Sequence, residues 1–162
     1  MYIIDSDSLI HAYRDDFPPK GDHSNFWTWL DNIGNHEGII IPEKVIEELN
    51  RKTDGLCDFL KKYPNLKTEP TVNCLAILPK VLYVYGSLSD VDLERLERKA
   101  DPYVISHAMT LKATVISSEV SQPYKIGVNK KIPDICGALN VLFESYPRFL
   151  WRMRGIYPND LL

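Results

Sequence analysis

Three short apolar runs constrain this chain more than any other feature. Tyr2-Ile3-Ile4, Gly38-Ile39-Ile40-Ile41 and Thr114-Val115-Ile116-Ser117 are rich in β-branched residues and too short to be helices. Continuous rather than alternating apolar character marks a strand covered on both faces. The first strand is expected over Met1 to Ile4, delivering the side chain of Asp5 at its carboxyl end; the third runs out into Ser118 and Glu119. Helix-forming sequence separates the runs. Strands that alternate with helices build a parallel sheet with helices on both faces, an α/β fold. In such sheets ligands gather beyond the carboxyl ends of the strands, so chemistry is expected in the residues that follow each run.

Between the runs, Ser6-Asp7-Ser8 offers cap chemistry for a helix continuing through Leu9-Ile10-His11. Asp15 to Gly21 reads as a loop, and a helix is expected over Asn25 to Ile33, stopped by Gly34. Pro42 suits the first position of a helix running through Glu43 to Leu49, and Asp54 to Tyr63 reads as another, broken by Pro64. The signal is weakest over 65–88. There, Cys74 to Leu78 is expected to be helical and the alternating Val81 to Tyr85 a short strand, with Pro79 between them. Ser89 and Asp92 have the spacing of a capping box. Ala100-Asp101-Pro102 opens the next helix, whose apolar stripe is Val104, Ile105, Ala108 and Leu111. Lys131-Ile132-Pro133-Asp134 leads into a helix through Leu139, and a last helix runs from about Ser145 to Met153, with Gly155 beyond its end.

At 162 residues the chain has the length of one domain, expected to span 1–162. Its apolar runs fall far short of the ~20 residues a bilayer requires, so no membrane span is expected. Lysine and arginine number 19 against 22 aspartates and glutamates, a net charge of −3. That balance argues against a strongly basic nucleic-acid binder and leaves acids to hold a metal. Cys57, Cys74 and Cys136 form no Cys-x-x-Cys pair, and the histidines show no zinc spacing. Reduced thiols, and a start without a basic, apolar leader, point to the cytoplasm.

Five acids stand where the topology collects chemistry. Asp5, Glu119 and Asp134 lie at strand or strand–helix ends, and Glu48 and Asp101 lie on helices directed at the same edge. Clustered carboxylates raise one another's pKa unless a counter-charge joins them. Oxygen ligands alone select magnesium or manganese over zinc. A hard cation held in this way lowers the pKa of a bound water and neutralises a phosphate during in-line attack, which is nuclease chemistry. Each acid also has a plainer role. Asp101 before Pro102 suits an N-cap, Asp134 the first turn of a helix, Glu47 and Glu48 a solvated face, and Glu119 a loop. Asp5, straight after a buried strand, is the hardest to explain in structural terms alone. The ordered set carries the argument, not any single position.

In order and spacing these segments resemble the PIN-domain family. The resemblance is carried by Ile3-Ile4-Asp5-Ser6-Asp7-Ser8-Leu9-Ile10, by Ile41-Pro42-Glu43-Lys44-Val45-Ile46-Glu47-Glu48-Leu49, by Ala100-Asp101-Pro102-Tyr103-Val104-Ile105-Ser106-His107-Ala108 and by Thr114-Val115-Ile116-Ser117-Ser118-Glu119. Lys131-Ile132-Pro133-Asp134-Ile135-Cys136 resembles a motif of one PIN-like branch known mainly by sequence, close to the VapC-type toxins. The resemblance extends from residue 1 to about 141. It implies a three-layer α/β/α fold with a central parallel sheet, and an acidic site for RNA hydrolysis dependent on Mg2+ or Mn2+. Carried over position by position, Asp5, Glu48 and Asp101 match the three core acids. Glu48 is chosen over Glu47 because it directly precedes Leu49. The fourth position falls on Glu119, where many relatives have aspartate, with Asp134 sharing or taking that role. Ser117 replaces a frequent threonine. The implied products are a 5′-phosphate and a 3′-hydroxyl, and the implied partners are RNA, a small antitoxin protein and a second copy of the chain in a homodimer.

Ser117, Lys125 and Lys131 are the expected substrate contacts. Arg148, Arg152 and Arg154 lie with Trp151 on the last helix. A solvated charged face is the plainer account of either basic group, and real phosphate contacts would weaken as salt rises. Two other functions fit in part. Asp5-Ser6-Asp7-Ser8 resembles the Asp-x-Asp-x-Thr start of haloacid-dehalogenase-type phosphatases, with Asp5 as nucleophile and Asp7 as general acid, although no Gly-Asp-x-x-x-Asp motif follows. The second is a catalytically silent PIN-like module that binds RNA or a partner, against which stands the presence of every candidate acid.

Overall fold

The computed structural model describes residues 1–19, 24–52 and 55–156. These residues form a five-stranded sheet in the order β3-β2-β1-β4-β5, parallel throughout. The strands are β1 (Tyr2–Ile4), β2 (Ile39–Pro42), β3 (Leu66–Glu69), β4 (Thr114–Ser117) and β5 (Phe143–Ser145). The three apolar runs occupy its centre. Ile3 lies opposite Ile40 on one side and Val115 on the other.

The helices are α1 (Ser6–His11), α2 (Ser24–Glu37), α3 (Glu43–Lys52), α4 (Leu56–Leu60), α5 (Leu78–Val84), α6 (Asp90–Glu97), α7 (Asp101–Leu111), α8 (Ile132–Leu139) and α9 (Tyr146–Ile156). From β1 the chain steps outward through β2 to β3, then returns to the far side of β1 to form β4 and β5. Right-handed crossovers in opposite directions place α2 and α7 on opposite faces of the sheet. Val104, Ile105 and Ala108 of α7 and Trp27, Leu30 and Ile33 of α2 are buried in the core. The expected layering of helix, sheet and helix results. Among the described residues no helix is long and apolar enough to cross a membrane.

Several local expectations are corrected. Gly34 does not stop α2, which runs on to Glu37. A Cβ at Gly34 would lie 2.6 Å from the Asn65 carbonyl oxygen, so the glycine is there for close approach of the segment entering β3. Asp31 fastens the same segment, accepting from the backbone and side-chain nitrogens of Asn65 at 2.8 Å each. The helix ends instead at Gly38, whose φ of +76° suits a residue without a side chain. Pro42 closes β2, opposite Glu69, rather than opening α3.

The segment expected as a loop from Asp15 begins two residues later, because a π-helical turn carries α1 through Asp16; residues 20–23 lie outside the described residues. The helix expected from Asp54 is described only over Leu56–Leu60. Residues 71–74 form a 3-10 turn earlier than the helix expected at Cys74. Val81 to Tyr85 is not a strand. Pro79 sits in the first turn of α5, where its missing N–H costs nothing, and Val81 and Tyr85 are buried one turn apart. Tyr83, which a strand would place beside them, is 85% exposed. α9 continues through Gly155, beyond the expected end at Met153.

Candidate active site

The strand order reverses at β1, so the gap between β1 and β4 is the topological switch point, where open parallel sheets leave a crevice beyond their carboxyl ends. Asp5 leaves β1 on that edge and Ser117 ends β4 beside it. The Ser117 hydroxyl donates to Asp5 Oδ2 at 2.7 Å. The other carboxylate oxygen of Asp5 caps α1, accepting from the Ser8 N–H at 2.8 Å. Asp5 is only 3% exposed. Burial pushes its carboxyl up to about 7, against the smaller opposing effect of these hydrogen bonds.

Two helices bring further acids to this edge. Glu48 is buried on α3, and its Oε2 accepts from the Ala100 N–H at 3.0 Å, tying α3 to the start of α7. Its other oxygen pairs with Lys52 one turn along. Glu47 turns away to Lys44, 2.8 Å distant. Asp101 is the first residue of α7 rather than its cap; the N-cap is Ala100, which offers no side-chain hydrogen bond. The Asp101 side chain is 20% exposed. Its carboxyl is pushed up to about 6, by burial first and then by the charges of Glu119, Glu48 and Asp7, with Lys99 opposing. The Lys99 ammonium stands 3.9 Å from Asp101 Oδ2 and is itself tethered to the Val128 carbonyl at 2.9 Å.

Glu119 and Asp134 form a reciprocal clasp between the end of β4 and the start of α8. Glu119 accepts from the Lys131 ammonium at 2.6 Å and from the Ile132 N–H at 2.8 Å. Its own N–H donates to Ser117 Oγ at 3.0 Å. Asp134 accepts from the Ser121 hydroxyl at 2.5 Å and from the Gln122 N–H at 2.8 Å. Glu119 thus acts electrostatically on Asp101, whereas the Asp134 carboxylate is turned onto the loop after β4. Lys125 lies on the exposed part of that loop, its ammonium 5.8 Å from the Tyr124 ring centre.

Three residues outside the expected set join the site. Asp7, on α1, is half exposed, and its charge bears on both Asp5 and Asp101. In the sequence its signal was its place two residues after Asp5, which gave it a role in the phosphatase alternative and none in the nuclease set. Lys52 lies 3.6 Å from Asp7 as well as pairing with Glu48. Tyr85 is buried nearby, its hydroxyl without a hydrogen-bond partner among the described residues and within the fields of Asp101 and Glu119. A groove lined by Asp7, Ile10, His11, Asp15, Glu119 and Lys131 opens beside them.

The donor chemistry, carboxylate oxygen throughout, fits a hard divalent cation. Burial disfavours the charged forms of Asp5 and Asp101, and such a cation would offset that cost. As they stand, however, no three histidine, cysteine, aspartate or glutamate side chains among the described residues are grouped to hold a metal. Glu48 and Glu119 are each turned to a lysine.

The sequence matches the family described as "Domain of unknown function (DUF4411)" over residues 2–154. No curated protein matches it. The fold is similar to that of a chain in the crystal structure of VapBC2 from Rickettsia felis bound to a DNA fragment from their promoter. That likeness has a TM-score of 0.52 at 15% identity and covers 89% of this chain and 97% of that one. At such identity the likeness is one of fold, and it bears out the PIN-like α/β architecture expected from the strand order of the acids.

Proposed function

The chain belongs to the DUF4411 family, and we propose that it is a metal-dependent endoribonuclease acting as the toxin of a toxin–antitoxin pair. The observation that carries the proposal is the pair of carboxylates at the switch point, Asp5 buried and Asp101 part-buried. Asp5 has no cationic partner among the described residues, and Asp101 is paired there with Lys99 at 3.9 Å, with Lys131 also within its field. Two ionisable groups held in this state are poised for a ligand of positive charge.

Asp5, Glu48 and Asp101 would hold Mg2+ or Mn2+. Bound there, the cation supplies an activated water and offsets charge on the phosphate under in-line attack. The other groups position these three. Ser117 and Ser8 fix both oxygens of Asp5, and the Ala100 N–H fixes one oxygen of Glu48. Such supporting hydrogen bonds set ligand orientation in metal sites generally. Glu119 is read as the fourth acid, held in the metal-free protein by Lys131 and the Ile132 N–H at the start of α8, and Asp134 as the anchor of the loop carrying Lys125. The likeness to a VapBC2 complex supports a small antitoxin partner for this chain, and a homodimer is proposed with it.

The test presents single-stranded RNA, single-stranded DNA and a phosphate monoester to the purified chain, each with Mg2+, with Mn2+ and with a chelator. Cleavage of RNA that stops on chelation is expected. Hydrolysis of the monoester with RNA left intact would replace the nuclease with a phosphatase using Asp5 and Asp7.

A further inference from the structure

We propose that Lys52 and Lys131 are contacts for the phosphates of the RNA strand, held in the metal-free protein by Glu48 and Glu119 and released to the strand when those carboxylates turn to a cation. The proposal rests on the nuclease reading above and adds the state in which the site waits.

Geometry supports it from both sides of the crevice. Lys52, in the last turn of α3, pairs with Glu48 and lies 3.6 Å from Asp7. Lys131, at the start of α8, lies 2.6 Å from Glu119. Asp7, Glu119 and Lys131 line the same groove, so both ammoniums border the path a strand would take into the site. Both are part-exposed, at 46% and 31%. Among the described residues, neither donates to a backbone carbonyl in the way that fixes Lys99 to Val128 and Lys130 to Val84. Lysine suits such an exchange, being a compact charge on a flexible stem with no fixed fork to rebuild.

The arrangement also accounts for the absence of a ready-made group of metal ligands among the described residues. Among the described residues, Asp5, Asp7, Glu48, Asp101 and Glu119 gather here with Lys52, Lys99 and Lys131, so carboxylates outnumber ammoniums. With a cation among the acids, Glu48 and Glu119 no longer need their lysines, and two positive charges become available at the rim where the polyanion arrives. An acidic chain can thereby recruit RNA only when loaded.

The experiment measures two bindings in wild type, Lys52→Ala and Lys131→Ala. The first is Mn2+ binding without RNA, by calorimetry. The second is binding of a single-stranded RNA oligonucleotide in Ca2+ across a series of salt concentrations. Each variant is expected to bind Mn2+ at least as tightly as wild type, because a competitor for the carboxylate is gone. Each is expected to bind RNA several-fold more weakly, with the slope of log affinity against log salt reduced by about 0.7. Lys52→Arg and Lys131→Arg should restore the slope, and Lys→Gln substitutions replace any alanine variant that does not fold. An unchanged RNA affinity and slope, or weaker Mn2+ binding, overturns the proposal. A wild-type chain that binds neither Mn2+ nor RNA would instead remove the nuclease reading on which it stands.

Discussion

The Ser117 hydroxyl donates a 2.7 Å hydrogen bond to Asp5 Oδ2 across the point where the strand order reverses. Ser117 also accepts from the Glu119 N–H, so one hydroxyl couples the end of β4 to the buried acid of β1. It opposes the effect of burial on Asp5, though burial dominates. Replacing Ser117 with alanine should therefore raise the Asp5 carboxyl further. RNA cleavage is expected to fall roughly 10–100-fold, the usual cost of losing a partner that orients a metal ligand. The acid limb of the pH–rate profile should move to higher pH. A profile unchanged in position would remove Ser117 from the site.

Stability of the metal-free protein should fall as pH rises across the same range. Asp5 and Asp101 have folded-state carboxyls near 7 and 6 against an ordinary value of 3.8. A carboxyl raised on folding contributes stability fully present below its unfolded value, and that contribution is lost as pH climbs through the folded value. Thermal melting in chelator should therefore occur at lower temperature at pH 8 than at pH 5. Asp5→Asn should flatten the dependence and melt higher than wild type at pH 8. Mn2+ should raise the wild-type melting temperature more at pH 8 than at pH 5. Equal melting temperatures at the two pH values in chelator would mean that neither carboxyl is perturbed.

The two contenders for the fourth acid have separable jobs. Asp134→Ala frees the Ser121 hydroxyl and the Gln122 N–H, and should cost about 1–2 kcal/mol of stability by denaturant unfolding while leaving Mn2+ affinity within about twofold. A large loss of Mn2+ affinity in that variant would return Asp134 to the ligand set.

Much of the architecture was legible because it rests on local rules. The Ile-rich runs became β1, β2 and β4 because nothing but a doubly covered strand suits them. Ser89 and Asp92 form the capping box that their spacing suggested. Edge strands were another matter. Lys67-Thr68-Glu69 and Phe143-Glu144-Ser145 are short and mostly polar, and they become strands only by pairing with β2 and β4. Gly34 misled for a similar reason, since its role depends on Asn65, a residue brought to it by the fold. The positions of the acids could be read along the chain, but their partners could not. The link from Glu48 to Ala100 spans 52 positions, and that from Asp5 to Ser117 spans 112. Nothing in sequence spacing announces that Glu119 and Asp134 clasp one another's segments, or that Lys52 answers both Glu48 and Asp7.

Asp7 separates nuclease from phosphatase. It is half exposed and perturbs the buried acids only through its charge. Asp7→Asn is expected to retain RNA cleavage within about tenfold, whereas a phosphatase that relies on Asp7 as general acid would lose roughly 10²–10⁴-fold. Cleavage assays on RNA and on a phosphate monoester with this one variant distinguish the two chemistries.

The most direct test of the site is cleavage of a single-stranded RNA oligonucleotide in Mg2+ or Mn2+ by wild type, Asp5→Asn and Asp101→Asn, with folding checked by circular dichroism. The account predicts cleavage by wild type that stops on chelation, and folded variants at least about 100-fold slower. Metal-dependent cleavage that survives in both variants would contradict it.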